Sequence, residues 1–250
     1  MKTYVSLRLR YKLILLYVIS NFYISCDYTA EKDFNSHTLY IHFSDNTFAQ
    51  AKDSFSISDN DTLSLTQLNG YFRVTDSQKP DYQQGKLVNG KKEGEWYRYI
   101  ILGDSSRLSQ KKEYKRGKLN GVYIDYDPIE GWVLSELFFR DNFELGLQKW
   151  YHPKSTKIAL QYTKDSLGYY IDNYLVLNKL GDTLYHVNLG KNSTGYLKLY
   201  NQWGILEREG YLLNGKMEMA KEFIYEYGQK KYTLERFYIA DSLIFERLIH

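Results

Sequence analysis

From about residue 61 onward the chain alternates short runs rich in Tyr, Phe, Trp, Val and Ile with turns built from Gly, Asn and Asp. The runs include Glu95–Ile100, Val122–Tyr126, Leu134–Phe139, Ile158–Tyr162, Leu184–Leu189, Tyr196–Tyr200, Ile205–Leu213 and Phe237–Ile239. Aromatic and β-branched residues suit a pleated surface, so these runs predict strands. No long stretch with a 3.6-residue period competes with them. Between them stand Asn89-Gly90, Arg116-Gly117 and Asn214-Gly215, each followed by a lysine: Lys91, Lys118 and Lys216. Asn-Gly between apolar runs predicts a tight hairpin turn, because both residues tolerate the positive φ it demands.

The pattern recurs. A glycine returns every 22 to 27 residues, and a tyrosine often follows five places later: Gly94 with Tyr99, Gly121 with Tyr126, Gly146 with Tyr151, Gly195 with Tyr200. Weaker copies begin at Gly70, Gly168 and Met219. A period of this size marks a stacked repeat, in which each unit buries its apolar face against its neighbours. The expected fold is all-β, an elongated twisted antiparallel sheet of stacked β-hairpins. Seven units give about fourteen strands, and the last hairpin turns at Ala240-Asp241-Ser242. Positions one, three and five after each glycine share a strand face, so the fifth-place tyrosines are expected to stack as a ladder serving as structural core. The glycine is expected to let the backbone bend or approach its neighbour without a Cβ clash.

Assembled as Asn/Arg-Gly-Lys-x-x-Gly-x-(Trp/Tyr)-x-x-Tyr, the unit resembles MORN-like repeats, and in particular the bacterial variant in proteins labelled YwqK-type antitoxins. The passages that carry the likeness are NGKKEGEWYRY at 89–99, RGKLNGVYIDY at 116–126 and YNQWGILEREGYLLNGK at 200–216. Asn142 replaces a turn glycine, Met219 replaces a start glycine, and 163–173 barely fit. The resemblance implies a twisted hairpin ribbon used mainly for scaffolding and protein contacts and, in some eukaryotic members of the family, for apposition to membranes.

The first 25 residues read differently. Lys2, Arg8, Arg10 and Lys12 precede an apolar stretch from Leu13 to Ile24, with no acid. That is the form of a secretory signal, and it is shorter than the about 20 apolar residues of a membrane span. The chain's one cysteine, Cys26, follows in Tyr23-Ile24-Ser25-Cys26, which resembles a bacterial lipoprotein cleavage site. Cys26 is therefore the expected lipidation site, with 1–25 as signal peptide, 26–60 as tether or N-terminal cap, and 61–250 as the repeat domain. Removing the leader leaves 29 Lys and Arg against 30 Asp and Glu, so the formal net charge of +3 becomes −1. No basic excess survives to favour nucleic acid.

Candidate chemistry is sparse. His37, His42, His152, His186 and His250 form no metal-ligand spacing, and His152, in a turn before Pro153, reads as a surface residue. No phosphate-binding glycine loop is present. The acids Asp125, Asp127, Glu130 and Asp172 read as solvated turn charges. No catalytic residue, metal or cofactor is expected. Asp-(Ser/Thr)-Leu at 61–63, 165–167, 182–184 and 241–243 is similar to an O-glycosylation acceptor motif and equally to a turn leading into a strand. The expected function is a lipid-anchored cell-envelope scaffold that contacts an unknown protein partner. The rivals are an antitoxin or immunity protein that masks a toxin, and a carbohydrate or lipid head-group binder using Trp96, Trp132, Trp150 and Trp203.

Overall fold

The computed structural model describes residues 38–57, 65–76, 79–201, 203–226, 229–239 and 242–249. Apart from one short helical turn at 65–66, every regular element among them is a strand. In chain order these are β1 (Thr38–Phe43), β2 (Ala51–Ser56), β3 (Gly70–Asp76), β4 (Asp81–Val88), β5 (Lys91–Leu102), β6 (Ser105–Lys115), β7 (Lys118–Tyr126), β8 (Val133–Arg140) and β9 (Phe143–Glu144). They continue as β10 (Gly146–Tyr151), β11 (Ile158–Lys164), β12 (Tyr170–Leu177), β13 (Thr183–Val187), β14 (Gly195–Tyr200), β15 (Leu206–Leu213), β16 (Lys216–Glu226), β17 (Gln229–Ile239) and β18 (Ser242–Ile249). All pairings are antiparallel. A 13-stranded sheet runs β13-β12-β11-β10-β8-β7-β6-β5-β4-β3-β1-β2, with β9 on β8, and a five-stranded sheet runs β14 to β18.

The fold class is thus the one expected, a long antiparallel sheet of consecutive hairpins, with more strands than the fourteen counted from the repeats. Part of the difference lies before residue 61. β1 pairs with both β2 and β3, and Tyr40 on β1 is only 1% exposed, so residues 38–57 belong to the sheet. The turns form as the dipeptides require: Asn89 and Gly90, Arg116 and Gly117, and Asn214 and Gly215 all have positive φ. Asp141 and Asn142 make a fourth such turn. Asparagine reaches the left-handed region readily, which is why its substitution for glycine there is tolerated.

Two register shifts recur in the units. In the first, Gly85 pairs with Trp96 but the next pair is Lys86 with Glu93, leaving Gly94 and Glu95 in a bulge. Around Gly121, Lys112 pairs with Tyr123 and Tyr114 with Leu119, which is the same device. At Gly121 φ is +127, and a Cβ would stand 2.0 Å from Glu113 Oε2, so glycine serves both the bend and the close approach. The second shift falls between the fourth and fifth places after the glycine. It inserts Ser109, Leu134, Ala159 or Glu207 into the returning strand opposite Tyr99, Tyr126, Tyr151 or Tyr200.

The core lies under the second place, not the fifth. Phe72, Trp96, Tyr123, Gln148 and Leu197 are between 0% and 6% exposed, while Tyr99, Tyr126, Tyr151 and Tyr200 are half-buried. The expected tyrosine ladder does not form. A returning strand separates equivalent places, putting them two spacings or about 10 Å apart, beyond the 4.5–7 Å of ring pairing. Tyr99 stacks instead on Tyr82 of the adjacent strand, with centroids 5.0 Å apart. A different file of rings does form, Trp150–Tyr162–Tyr174–Tyr185–Tyr200, with successive centroids 5.0 to 6.1 Å apart. It crosses the seam between the sheets. There Tyr174 Oη accepts a bond from the Tyr200 amide and Tyr185 Oη donates to the Tyr196 carbonyl. Burial pushes the phenols of Tyr162 and Tyr174 well above their ordinary pKa.

Candidate contact surface

Turns of successive units stack along one margin of the sheet. The amide of the second turn residue donates to a carbonyl two places before a start glycine. Gly90 reaches Leu68 O at 2.9 Å, Gly117 reaches Lys92 O at 2.8 Å, Asn142 reaches Leu119 O at 3.0 Å and Gly215 reaches Ser193 O at 3.0 Å. Side chains just before the start glycines hold the first turn residue. Asn69, Glu93 and Thr194 accept from the amides of Asn89, Arg116 and Asn214. The margin is therefore a backbone-bonded edge rather than a row of loose loops, and what it carries is fixed in position.

Between the turns at 116–117 and 141–142 lies a cleft of about 450 Å³ lined by Lys91, Lys115, Arg116, Lys118, Asn120 and Asp141. Its four cations are exposed, and none makes an ion pair among the described residues. Elsewhere several charges are matched across strands. Lys164 pairs with the buried Glu144, Arg98 with Asp81, and Arg236 with both Glu222 and Glu246. Lys111 and Tyr97 both bond the Glu95 carboxylate and hold it below its ordinary pKa, Lys111 contributing most. A concave cluster of unmatched cations concentrates positive potential and attracts an anionic surface.

Other residues singled out from the sequence are dispersed. Gly70, Gly94, Gly121, Gly146 and Gly195 open β3, the bulge of β5, that of β7, β10 and β14, each at positive φ. Gly168 lies in the β11–β12 turn, where its amide bonds Asp165 O; the positive-φ residue at the bulge of that unit is Asn173. Tyr151 donates to Glu136 at 2.8 Å. Cys26, His37, His250 and the triplet at 61–63 lie outside the described residues. His152 is buried rather than exposed, because Nε2 is bound at 3.1 Å from Leu177 O and its amide bonds Lys157 O.

The acids do not converge. Asp125 accepts from Tyr123 and Gln110, Asp127 from the amides of Ile129 and Glu130, and Glu130 pairs with Lys154. Asp165 caps its own turn by accepting from the amides of Leu167 and Tyr169. Of the tryptophans, Trp96 is sealed in the core with Nε1 donating to Lys86 O, while Trp203 is 61% exposed. Gly85, opposite Trp96, escaped the sequence pattern. A Cβ there would lie 2.5 Å from the indole, so glycine makes room for the ring. The signal was present in the large apolar or aromatic residues at the second place of five units: Phe72, Trp96, Tyr123, Tyr170 and Leu197. No protein-family profile and no curated protein matches this chain.

Proposed function

We propose that this protein is a lipid-anchored cell-envelope scaffold that holds an acidic surface of another protein in the basic cleft on its turn margin. The observation that carries the proposal is the cleft that gathers four exposed cations, none in an ion pair among the described residues, beside a single acid, Asp141. The two passages most like MORN repeats, 89–99 and 116–126, supply Lys91, Arg116 and Lys118 to it. The repeated Gly-Lys of the turn then has a use beyond folding, since stacking the turns brings lysines of two units to one cleft. Anchoring at Cys26 would keep the margin near its partner, as two or more acyl chains give stable attachment.

The test is cross-linking and recovery from native membranes, comparing wild type with Lys91→Glu/Lys118→Glu. Loss of a recovered acidic partner in the variant is expected, and an unchanged set of partners would overturn the role of the cleft. Incorporation of a palmitate analogue should require Cys26. Undiminished label in Cys26→Ala removes the anchor from the proposal.

A further inference from the structure

Asp stands before Ser or Thr at seven places in the chain, and at four of them Leu follows. Two of these Asp-(Ser/Thr)-Leu triplets, 165–167 and 182–184, are described whole, with Ser242-Leu243 of a third. A turn leading into a strand does not account for them. Two equivalent five-residue turns join β11 to β12 and β12 to β13: the Asp165 amide donates to Tyr169 O and the Asn178 amide to Asp182 O, both at 3.0 Å. In each, Oδ1 of the first residue accepts from amides further on, Leu167 and Tyr169 in one, Leu180, Gly181 and Asp182 in the other.

The two triplets sit differently on this common frame. The first fills places one to three of its turn, whereas the second begins at place five and runs into β13. Asp165 organises a turn and Asp182 only closes one. The second place is Ser166 in one turn and Lys179 in the other, so the turn itself needs no hydroxyl. No single backbone role therefore calls for the three residues together.

What the copies share is presentation. Ser166, Thr183 and Ser242 are exposed, and no side-chain hydrogen bond holds their hydroxyls among the described residues. Leu167, Leu184 and Leu243 are 72%, 49% and 51% exposed. By contrast the hydroxyl of Ser105, in Asp104-Ser105-Ser106, donates to Leu102 O at 3.2 Å. A recurring triplet with no shared folding role and an outward hydroxyl suits a reader outside the chain.

We propose that Ser166, Thr183 and Ser242 are acceptors of O-linked sugar, placed by an enzyme that reads the Asp before and the Leu after each hydroxyl. The proposal rests on the cell-envelope placement proposed above, where ATP is lacking as a phosphoryl donor and a sugar carried on a lipid diphosphate brings its own leaving group. The hydroxyl oxygen bonds the anomeric carbon as that carbon's bond to the diphosphate breaks. The electron pair leaves with the diphosphate, and the hydroxyl proton passes to a base of the enzyme. At Ser242 the sugar stands where β18 begins, beside Leu243, Ile244 and Phe245, each 51% to 61% exposed. A bulky hydrated group there covers an apolar sheet edge.

The experiment uses the full-length protein purified from its native host. Intact mass is expected to exceed that of the lipidated chain by whole sugar residues, with peptide mapping placing them on Ser166, Thr183 and Ser242. Leu167→Ala/Leu184→Ala keeps every hydroxyl and changes only exposed side chains. It is expected to lose the sugar on Ser166 and Thr183, keep that on Ser242 and leave circular dichroism unchanged. Ser54, exposed in Asp53-Ser54-Phe55, is expected to stay bare. Lipidated wild type without sugar, an excess equal to phosphate, sugar that persists at Ser166 and Thr183 in the leucine variant, or equal sugar on Ser54 overturns the proposal. Ser242→Ala is expected to raise the particle mass in light scattering, and an unchanged mass removes the covering role. Palmitate-analogue label on the same sample reads the anchor separately, so the envelope reading and this one fail separately.

Discussion

The two end strands of this protein obey opposite rules. β2, at one end, reads AKDSFS, with Lys52 and Asp53 exposed on its edge. β18, at the other, reads SLIFERLI and exposes five large apolar side chains. Both are edges of antiparallel sheets, so geometry does not separate them; side-chain chemistry does. Charge on β2 blunts that edge, whereas the apolar side chains of β18 leave its edge unblunted.

The contrast is broken most severely by leaving β2 unblunted as well. Lys52→Ile/Asp53→Val is expected to make that edge a template for strand pairing and to raise the particle mass in light scattering, and a variant of unchanged size would show that edge charge is not what keeps β2 solvated. Next in size come changes between the ends. Trp96→Ala should cost about 3–5 kcal/mol in urea unfolding, the loss typical of a truncated core aromatic. Arg236→Ala, which strips the cation bridging Glu222 and Glu246 in the sheet that ends in β18, should cost about 1.5–3 kcal/mol.

Alkaline pH acts on both sheets more gently. The phenols of Tyr97, Tyr151 and Tyr196 are each pushed up to about 12, burial first and then a neighbouring carboxylate. An acid whose folded pKa is raised binds its proton longer in the folded state. The stability it contributes is intact below pH 10 and lost as pH rises from about 10 to about 12. Thermal melting should therefore fall through that window, and Tyr97→Phe should flatten the fall. The smallest effect belongs to the cleft, where Lys91→Gln/Lys118→Gln should change unfolding stability by less than about 0.5 kcal/mol while altering partner recovery.

Much of this architecture was legible before the coordinates. Strands, tight positive-φ turns and the repeat follow from residues whose preferences are local: Asn89 and Gly90 both tolerate the positive φ their turn needs. The buried face was misjudged because tyrosine at the fifth place is the more regular symbol, while the second place varies among Phe72, Trp96, Tyr123, Gln148 and Leu197. Packing asks for volume and satisfied bonds, not identity. Gln148 is fully buried because its amide bonds both Phe138 backbone groups and the carbonyls of Leu145 and Gly146, patching a bulge that spacing alone cannot reveal. The basic cleft was invisible for a related reason. Lys91 and Lys118 are 27 places apart in the chain, and only the stacking of one turn on the next brings them together.

The strand order carries a consequence for how the molecule is made. From β4 to β8, and again from β15 to β18, every strand is bonded to its immediate predecessor. The chain stretch that must close before each new pairing forms is therefore short, and loop-closure entropy rises with its length. Low sequence separation between contacts goes with fast folding, so assembly can start at any hairpin and spread outward. A polypeptide emerging from a ribosome or an export channel can lock each hairpin as it appears, without waiting for distant residues.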